Sequence, residues 1–357
     1  MAAVPTGPVG HRYIVPPNYS LAMGNELVPA ADRTTLTDIS SFSWEHPADR
    51  VALNALQKIP GFDTLLKKVI GTFGERNISM DYKAHAVRVG PDQYPRIHRQ
   101  LESVCEVLDT DVPPLYVSQT PLVNAGAVGV DHPFIVVNSS LIEVATDPEV
   151  EAVLGHEVGH IMSGHALYRT LLHLLLGYGM AFTPIIGQAL IPIRLALLEW
   201  SRKAEVSCDR AGLLATQDLN ASLGMLMVMA GGIRGRRDEL SLEAFIQQSD
   251  DYRDERGLGA FYRMMATLGS THPFPVIRVA ELRNWVDSGA YTKIMAGEYH
   301  RVGEPRPFGD DAATAGRAFS ETANKVFTET DRYVNEALRS FMDAARDRFG
   351  GTDEGSD

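Results

Sequence analysis

The sequence predicts a mostly helical α+β protein with one small sheet and a long C-terminal helix. Helical periodicity marks the segments before residue 110 and the whole C-terminal third of the chain. Three short β-prone runs, "PPLYVS", "PLVNAGAVGV" and "FIVVNSSLI", follow one another and are separated by turn residues. A chain of 357 residues with 45% hydrophobic content can bury a large core, and we expect one large domain.

Charge, cysteine content and the first residues of the chain indicate which partners and compartments to expect. A net charge of −12 opposes both a nucleic-acid surface and attraction to anionic lipid. The only cysteines, Cys105 and Cys208, are too few for a disulfide framework or a cysteine-based zinc site. Prolines interrupt the start of the chain where a signal peptide needs a continuous apolar core. We expect a cytoplasmic protein that is not secreted by a signal peptide and has no nucleic-acid partner.

The first half of the chain predicts an arm followed by alternating helices and strands. Residues 1–40 are rich in proline, glycine and asparagine and predict an irregular arm. Two short amphipathic helices are expected in residues 46–74, a strand in 84–90 and a helix in 92–110. The β-prone runs come next, directly before the segment that carries the chemistry. The small sheet should therefore lie against the helix that this segment forms.

That segment, "VLGHEVGHIMSGH", spans residues 153–165. His156 and His160 are four apart, so on a helix they project from the same face and can grip one metal ion. Glu157 lies beside the pair, close enough to polarise a water molecule at the metal. His165 turns toward the far side if the helix continues, which makes it a poor third ligand.

Helix signals precede the motif in "TDPEVEAVL". Asp147 is a candidate N-cap, and Pro148 fits the first helical position. The histidines are therefore expected inside a well-defined helix.

A hydrolytic zinc site usually has three protein ligands and one position left for water. "EWSRKAEVSCDRAGLLA", residues 199–215, supplies the best third ligand. Glu205 and Asp209 face one direction on a helix, so Glu205 can bind zinc while Asp209 accepts the other ring N–H of a ligand histidine. Equally, both carboxylates can pair with Arg202 or Arg210 on a solvated face. The spacing leaves the two interpretations open.

"HEVGH" followed some fifty residues later by "SRKAEVSCDRAG" resembles the gluzincin zinc metalloendopeptidases of the HtpX and CAAX-prenyl-protease type, metallopeptidase family 48. The resemblance extends over residues 42–285. It implies one Zn²⁺ per chain held by His156, His160 and Glu205, with Glu157 as general base and acid and Asp209 as a support. It also implies a zincin-like, mostly helical catalytic domain whose small sheet has an exposed edge.

Two further motifs belong to the resemblance. "STHPFPVIR" implies that His272 lies over the metal, as a reversible extra ligand or as a donor to the oxyanion, with Arg278 assisting there. Alternatively, a helix begins at Pro273 and His272 is incidental. "NAGAVG" resembles the family's substrate-binding edge strand, which would read main chain rather than side chains; its residues here are Asn124, Ala125, Gly126 and Ala127.

One residue departs from the family pattern. Cys208 stands where the family often has alanine. Its predicted role is that of a small buried residue, and a thiol near zinc that senses oxidation is the alternative.

The apolar run at residues 171–193 is long enough for one membrane crossing, which needs about 20 residues. One crossing would place His160 and Glu205 on opposite sides of the bilayer, so a shared ion excludes it. We expect a helical hairpin, residues 171–198, inserted in a peptidase domain of residues 41–300. The hairpin either covers the active site or makes peripheral contact with a membrane or with hydrophobic client segments.

The C-terminal end predicts one long amphipathic helix and a tail. Apolar residues recur every three or four positions over residues 311–349, so one helix face packs on the body or mediates self-association. Residues 350–357 predict a disordered acidic tail.

Two functions from different classes follow. The first is a zinc-dependent metalloendopeptidase that hydrolyses peptides or unfolded proteins, including misfolded or membrane-associated ones. The second is a latent or chaperone-like zinc protein that binds clients without cutting them. Glu157 favours the enzyme, because a binding protein needs no base beside the zinc water.

Overall fold

The computed structural model describes residues 32–57, 62, 66, 75–178, 191–254 and 274–305. Several sequence predictions lie outside these residues. They are residues 1–31 of the arm, the middle of the hairpin, His272, the C-terminal helix and the acidic tail.

Helices make up most of the described chain. The longer ones are α1 (Pro47–Gln57), α2 (Glu75–His85), α3 (Pro95–Val107), α5 (Asp147–Met162), α6 (His165–Tyr178), α7 (Ile191–Thr216), α8 (Leu219–Gly231), α9 (Leu242–Asp254) and α10 (Pro275–Asp287). Two shorter ones are α4 (Ser139–Val144) and α11 (Ala290–Met295). The prediction of a mostly helical α+β protein is confirmed.

Within the described residues, the sheet has four strands: β1 (Ala86–Arg88), β2 (Leu115–Ser118), β3 (Ala125–Val128) and β4 (Phe134–Asn138). Their order is β1, β2, β4, β3, and only the β2–β4 pair is parallel. The sheet is therefore small and mixed, and β3 forms one of its edges.

The open edge of β3 faces α5. The Asn138 N–H donates to the Asn124 carbonyl at 3.0 Å, so Asn124 points its backbone at β4. Because backbone direction alternates along a strand, Ala125 and Ala127 point theirs at the open edge. The Ala127 N–H donates there to Glu157 Oε2 at 2.7 Å.

Helix α5 begins one residue earlier than the sequence predicts. Its N-cap is Thr146, not Asp147. The Thr146 N–H donates to Glu149 Oε2 at 2.8 Å, as in a capping box, and the Asp147 carboxylate pairs instead with Arg96.

Small residues allow α5 and α7 to approach closely. A Cβ added at Gly159 would lie 2.5 Å from the Ala211 Cβ, and one added at Gly155 would lie 2.6 Å from the Ala215 Cβ. On the α7 side, a Cβ at Gly212 would lie 2.7 Å from the Ala152 carbonyl oxygen. This contact brings side chains of α7 within reach of the histidines on α5.

We expect Gly159→Ala to reduce the free energy of unfolding by about 1–3 kcal/mol, because the new methyl group overpacks the helix contact. Urea unfolding of the metal-free protein measures it. Gly231→Ala is the matched control, since a Cβ at this helical position meets nothing within 4 Å. If the Gly159→Ala protein is as stable as the control, the helices have room to spare and the close approach is not required.

Residues 32–40, the last part of the predicted arm, pack onto the domain. Leu36 and Ile39 are buried in its core, and Arg33 pairs with Glu151 of α5 at 2.5 Å. The Ser40 N–H donates to the His300 carbonyl at 2.9 Å, and residues 39 and 301 form an antiparallel bridge. The irregular segment before residue 41 thus helps to close the domain.

Helices α6 and α7 precede and follow residues 179–190, the middle of the predicted hairpin, which lies outside the described residues. Within the part of the chain that the structure describes, no helix combines the length and apolarity that a membrane crossing needs.

Candidate metal centre

Three side chains from two helices converge beneath β3. His156 and His160 come from α5, and Glu205 comes from α7. The two Nε2 atoms are 3.1 Å apart, and they lie 3.5 and 3.4 Å from the Glu205 carboxylate oxygens. All three side chains are buried.

This geometry fits one metal ion. Tetrahedral coordination with bonds of about 2.0–2.1 Å places ligand atoms about 3.3 Å apart. The three observed separations, 3.1, 3.4 and 3.5 Å, are all close to this value. Two ring nitrogens that face each other at 3.1 Å also need a proton or a cation between them, because their lone pairs repel.

Asp209 lies behind His156. Its Oδ1 is 3.1 Å from His156 Nδ1, and Arg278 binds the same carboxylate through Nε at 2.8 Å and Nη2 at 2.6 Å. Burial opposes ionisation of Asp209, but Arg278 and His156 outweigh it and lower the pKa of Asp209. Burial also disfavours a charged His156, yet Asp209 and Glu205 raise the pKa of His156 to about 9. The carboxylate therefore stays ionised and orients the ring.

Glu205 lies between two arginines. Arg278 Nη1 is 3.3 Å from one carboxylate oxygen, and Arg169 Nη1 is 3.1 Å from the other. Arg169 is also 3.9 Å from Glu157 Oε2. Sequence reasoning missed Arg169; the available signal was a single arginine in the otherwise apolar start of α6.

Glu157 lies at the wall of the cavity that the edge strand bounds. Its side chain is buried, and its Oε2 accepts the Ala127 N–H. The lining of this cavity includes Asn124, Ala125, His156, Glu157, Glu205, Asp209 and Arg278. The structure therefore brings most of the sequence-predicted site residues to one cavity; His272 alone lies outside the described residues.

His165 is near the centre, contrary to the expectation from a continuous helix. Helix α5 ends at Met162, and Gly164 adopts a left-handed conformation with φ of 69° that favours glycine. His165 then begins α6, and its Nδ1 lies 3.1 Å from His160 Nδ1. The break in the helix places this ring on the Nδ1 side of His160, away from the three-ligand cluster on its Nε2 side.

Cys208 is fully buried beside His165, with its Sγ 3.6 Å from His165 Nδ1. Burial, together with the negative charge of Glu205, raises the pKa of the Cys208 thiol well above its usual range. The side chain is therefore a thiol, not a thiolate. This agrees with the prediction of a small buried residue.

Helix α10 begins at Pro275, with Phe274 as its N-cap. Arg278 lies in its first turn, which explains how the guanidinium reaches Asp209 and Glu205. The alternative helix start at Pro273 lies outside the described residues.

Comparison with known proteins identifies the family. The sequence profile described as "Peptidase family M48" matches residues 91–286, more than half of the chain. This protein belongs to peptidase family M48. The resemblance inferred from "HEVGH" and "SRKAEVSCDRAG" is thereby confirmed.

Curated relatives agree with this assignment. The chain is 34% identical to the chloroplastic plastoglobule-localized metallopeptidase 48 of Arabidopsis thaliana, over 72% of this chain and 76% of the relative. It is 25% identical to a protease HtpX homolog of Tropheryma whipplei and 23% identical to protease HtpX homolog 2 of Methanosarcina acetivorans. These two alignments cover 56% and 54% of this chain and 75% and 74% of the relatives. No solved structure matches the chain significantly.

Membership of family M48 makes the protein a metal-dependent metalloendopeptidase, a hydrolase that acts on peptides or proteins. The name of the Arabidopsis relative places that protein in the chloroplast, at plastoglobules. It gives no support to the predicted cytoplasmic location.

Proposed function

We propose that this M48 peptidase holds one zinc ion with His156, His160 and Glu205 and cleaves unfolded or misfolded protein chains. The observation that carries the proposal is the separation of 3.1–3.5 Å among the three candidate ligand atoms. Glu157 follows His156 on the same helix and lines the same cavity.

The donor set favours zinc among the common metals. Two imidazole nitrogens and one carboxylate oxygen form a set typical of hydrolytic zinc sites, which leave a fourth position open. When bound, zinc would lower the pKa of a water molecule toward neutrality and polarise the carbonyl of the bond to be cut.

Glu157 is the proposed general base and acid. Its carboxylate takes a proton from the attacking water and later gives that proton to the leaving amine. The Ala127 N–H holds one of its oxygens at 2.7 Å, which fixes the carboxylate at the cavity wall. The other oxygen remains for the proton transfer.

Asp209 and Arg278 act as positioning residues in this proposal. Asp209 accepts the Nδ1–H of His156 and so leaves Nε2 for the metal. Arg278 holds both Asp209 and Glu205, and its guanidinium is committed to these carboxylates. We therefore assign it to ligand orientation in place of the expected assistance at the oxyanion.

The substrate would lie along β3 as an added strand. Ala125 points its backbone at the open edge, next to the cavity that contains Glu157. Main-chain pairing of this kind requires an extended, unfolded segment and tolerates many side chains. Asn124 and Gly126 complete the proposed substrate-binding stretch with Ala125 and Ala127.

Three further roles remain proposals for segments that lie wholly or, for the hairpin, in their middle part outside the described residues. His272 would lie over the metal, where it blocks the site reversibly or donates to the oxyanion. The hairpin would contact membranes or clients, and the C-terminal helix would mediate self-association.

Removal and return of the metal test the proposed function. We expect the full-length protein to cleave casein, to stop after treatment with a zinc chelator, and to recover when one equivalent of zinc is added. Magnesium should not restore cleavage, because it prefers six oxygen ligands. Cleavage that persists without metal would contradict the proposal, and intact casein with zinc bound would favour the client-binding alternative.

A further inference from the structure

The candidate ligand His160 forms a hydrogen-bonded relay with His165 and Asp49. The His160 Nδ1 is 3.1 Å from His165 Nδ1, and His165 Nε2 is 3.2 Å from Asp49 Oδ2. His165 and Asp49 are each 1% exposed, so water does not compete for these contacts.

The Asp49 carboxylate, at the far end of the relay, acts only as a hydrogen-bond acceptor. It receives the Trp200 Nε1–H at 2.9 Å and the Ser207 hydroxyl at 2.6 Å. The Ser207 oxygen in turn accepts the His46 backbone N–H at 2.9 Å, so the hydroxyl group accepts one hydrogen bond and donates another to Asp49. A carboxylate that already accepts these two hydrogen bonds acts as an acceptor toward His165 as well, so the proton between Asp49 and His165 resides on His165 Nε2.

The position of this proton determines which atoms donate and which accept in the rest of the relay. A neutral imidazole with a proton on Nε2 has an unprotonated Nδ1, so His165 Nδ1 is an acceptor. The Cys208 Sγ lies 3.6 Å from the same nitrogen, so its thiol can serve as a second donor to this acceptor. His160 must then donate its Nδ1–H to His165, which leaves His160 Nε2 unprotonated.

We propose that Asp49 and His165 are positioning residues that fix the proton of His160 on Nδ1 and so present its Nε2 lone pair to the metal. The inference rests on the proposed zinc site. It gives each ligand histidine a carboxylate: Asp209 acts directly on His156, and Asp49 acts on His160 through an intervening imidazole. Such outer contacts orient ligands and raise metal affinity.

Packing holds the relay in place. Asp49 lies on α1, His165 begins α6, and Ser207 and Trp200 lie on α7. The Trp200 ring contacts the His165 ring edge-on at 5.4 Å between centroids. Three helices therefore converge to align groups that lie far apart in the sequence.

A second metal ion is the rival interpretation, because donor atoms of His160, His165 and Cys208 also lie within 4.8 Å of one another. Two ions would require His160 to bind through both ring nitrogens and lose both ring protons. They would also require Cys208 to ionise where burial raises its pKa. The hydrogen-bonded relay needs neither change.

Two substitutions of His165 separate the relay from simple packing. Asparagine places an amide oxygen near the position of Nδ1 and keeps an acceptor, whereas leucine fills space without one. We expect His165→Leu to weaken zinc binding about 10- to 100-fold, as loss of outer contacts does, and His165→Asn to restore most of it. Competition with a chromophoric chelator measures zinc affinity in the full-length protein.

The absorption spectrum of the cobalt(II)-loaded protein gives an independent readout. Its ligand-field bands should shift in His165→Leu and stay close to wild type in His165→Asn. If His165→Leu does not fold, Asp49→Asn takes its place, because it keeps the shape and removes the charge that holds the proton on His165. We expect Asp49→Asn to weaken zinc binding about 10-fold.

The outcomes distinguish this inference from the proposed function. A wild-type protein that binds no zinc overturns both. A wild-type protein that binds zinc, with equal affinity in His165→Leu or equal losses in the two His165 variants, overturns only the relay. Two zinc ions per chain, reduced to one by Cys208→Ala, would establish the second metal site in its place.

Discussion

Glu157→Gln should bind one zinc ion per chain and cleave casein about 10²- to 10⁴-fold more slowly than wild type, the range that a positioned general base contributes. The amide has the shape of the carboxylate, and its oxygen can still accept the Ala127 N–H. It cannot take a proton from water at neutral pH. Initial cleavage rates and zinc content, measured on the same samples, check both parts of the expectation.

Glu143→Gln is the control for this substitution. Glu143 is exposed and pairs only at the surface with Arg234, so its amide variant should cut casein at the wild-type rate. Wild-type cleavage by Glu157→Gln would remove Glu157 from the mechanism. Loss of zinc from Glu157→Gln would show that Glu157 supports the metal instead of the proton transfer.

Glu205→Ala should weaken zinc binding more than about 100-fold, beyond the range seen for loss of outer contacts, because a ligand itself is removed. The substitution also removes a negative charge that lies between Arg169 and Arg278, so these two guanidinium groups disfavour a cation at the site more strongly. Chelator competition measures the affinity, and circular dichroism checks that the variant folds.

Folding is a separate concern, since removal of one partner from a buried ion pair costs about 3–5 kcal/mol. Glu205→Gln retains the shape and one acceptor, and it should fold while still binding zinc weakly. Glu199→Ala, on the same helix but half exposed, should bind zinc as wild type does. Wild-type affinity in both Glu205 variants would remove Glu205 from the ligand set.

Local sequence patterns were sufficient to predict helices and part of the candidate metal centre. The helix predicted in residues 92–110 is present as α3 (Pro95–Val107). The four-residue spacing of Glu205 and Asp209 predicted that both face one way, and both face the histidines of α5. Such predictions succeed because neighbours three or four apart on a helix share a face.

The missed residues depend on tertiary contacts. His165 approaches His160 because the helix breaks at Gly164, which helical spacing cannot reveal. Asp49 reaches His165 from a helix more than a hundred positions earlier in the sequence, and no local pattern links them. Local patterns do not indicate the strand order either: β2 pairs in parallel with β4 and not with β3, its neighbour in sequence.

The central claim is that one metal ion is shared by His156, His160 and Glu205. Anomalous diffraction at the zinc absorption edge, on crystals of the zinc-loaded protein, tests it most directly. We predict one peak at about 2.0–2.1 Å from His156 Nε2, His160 Nε2 and a Glu205 oxygen. A peak among His160, His165 and Cys208 with none at Glu205 would contradict the account.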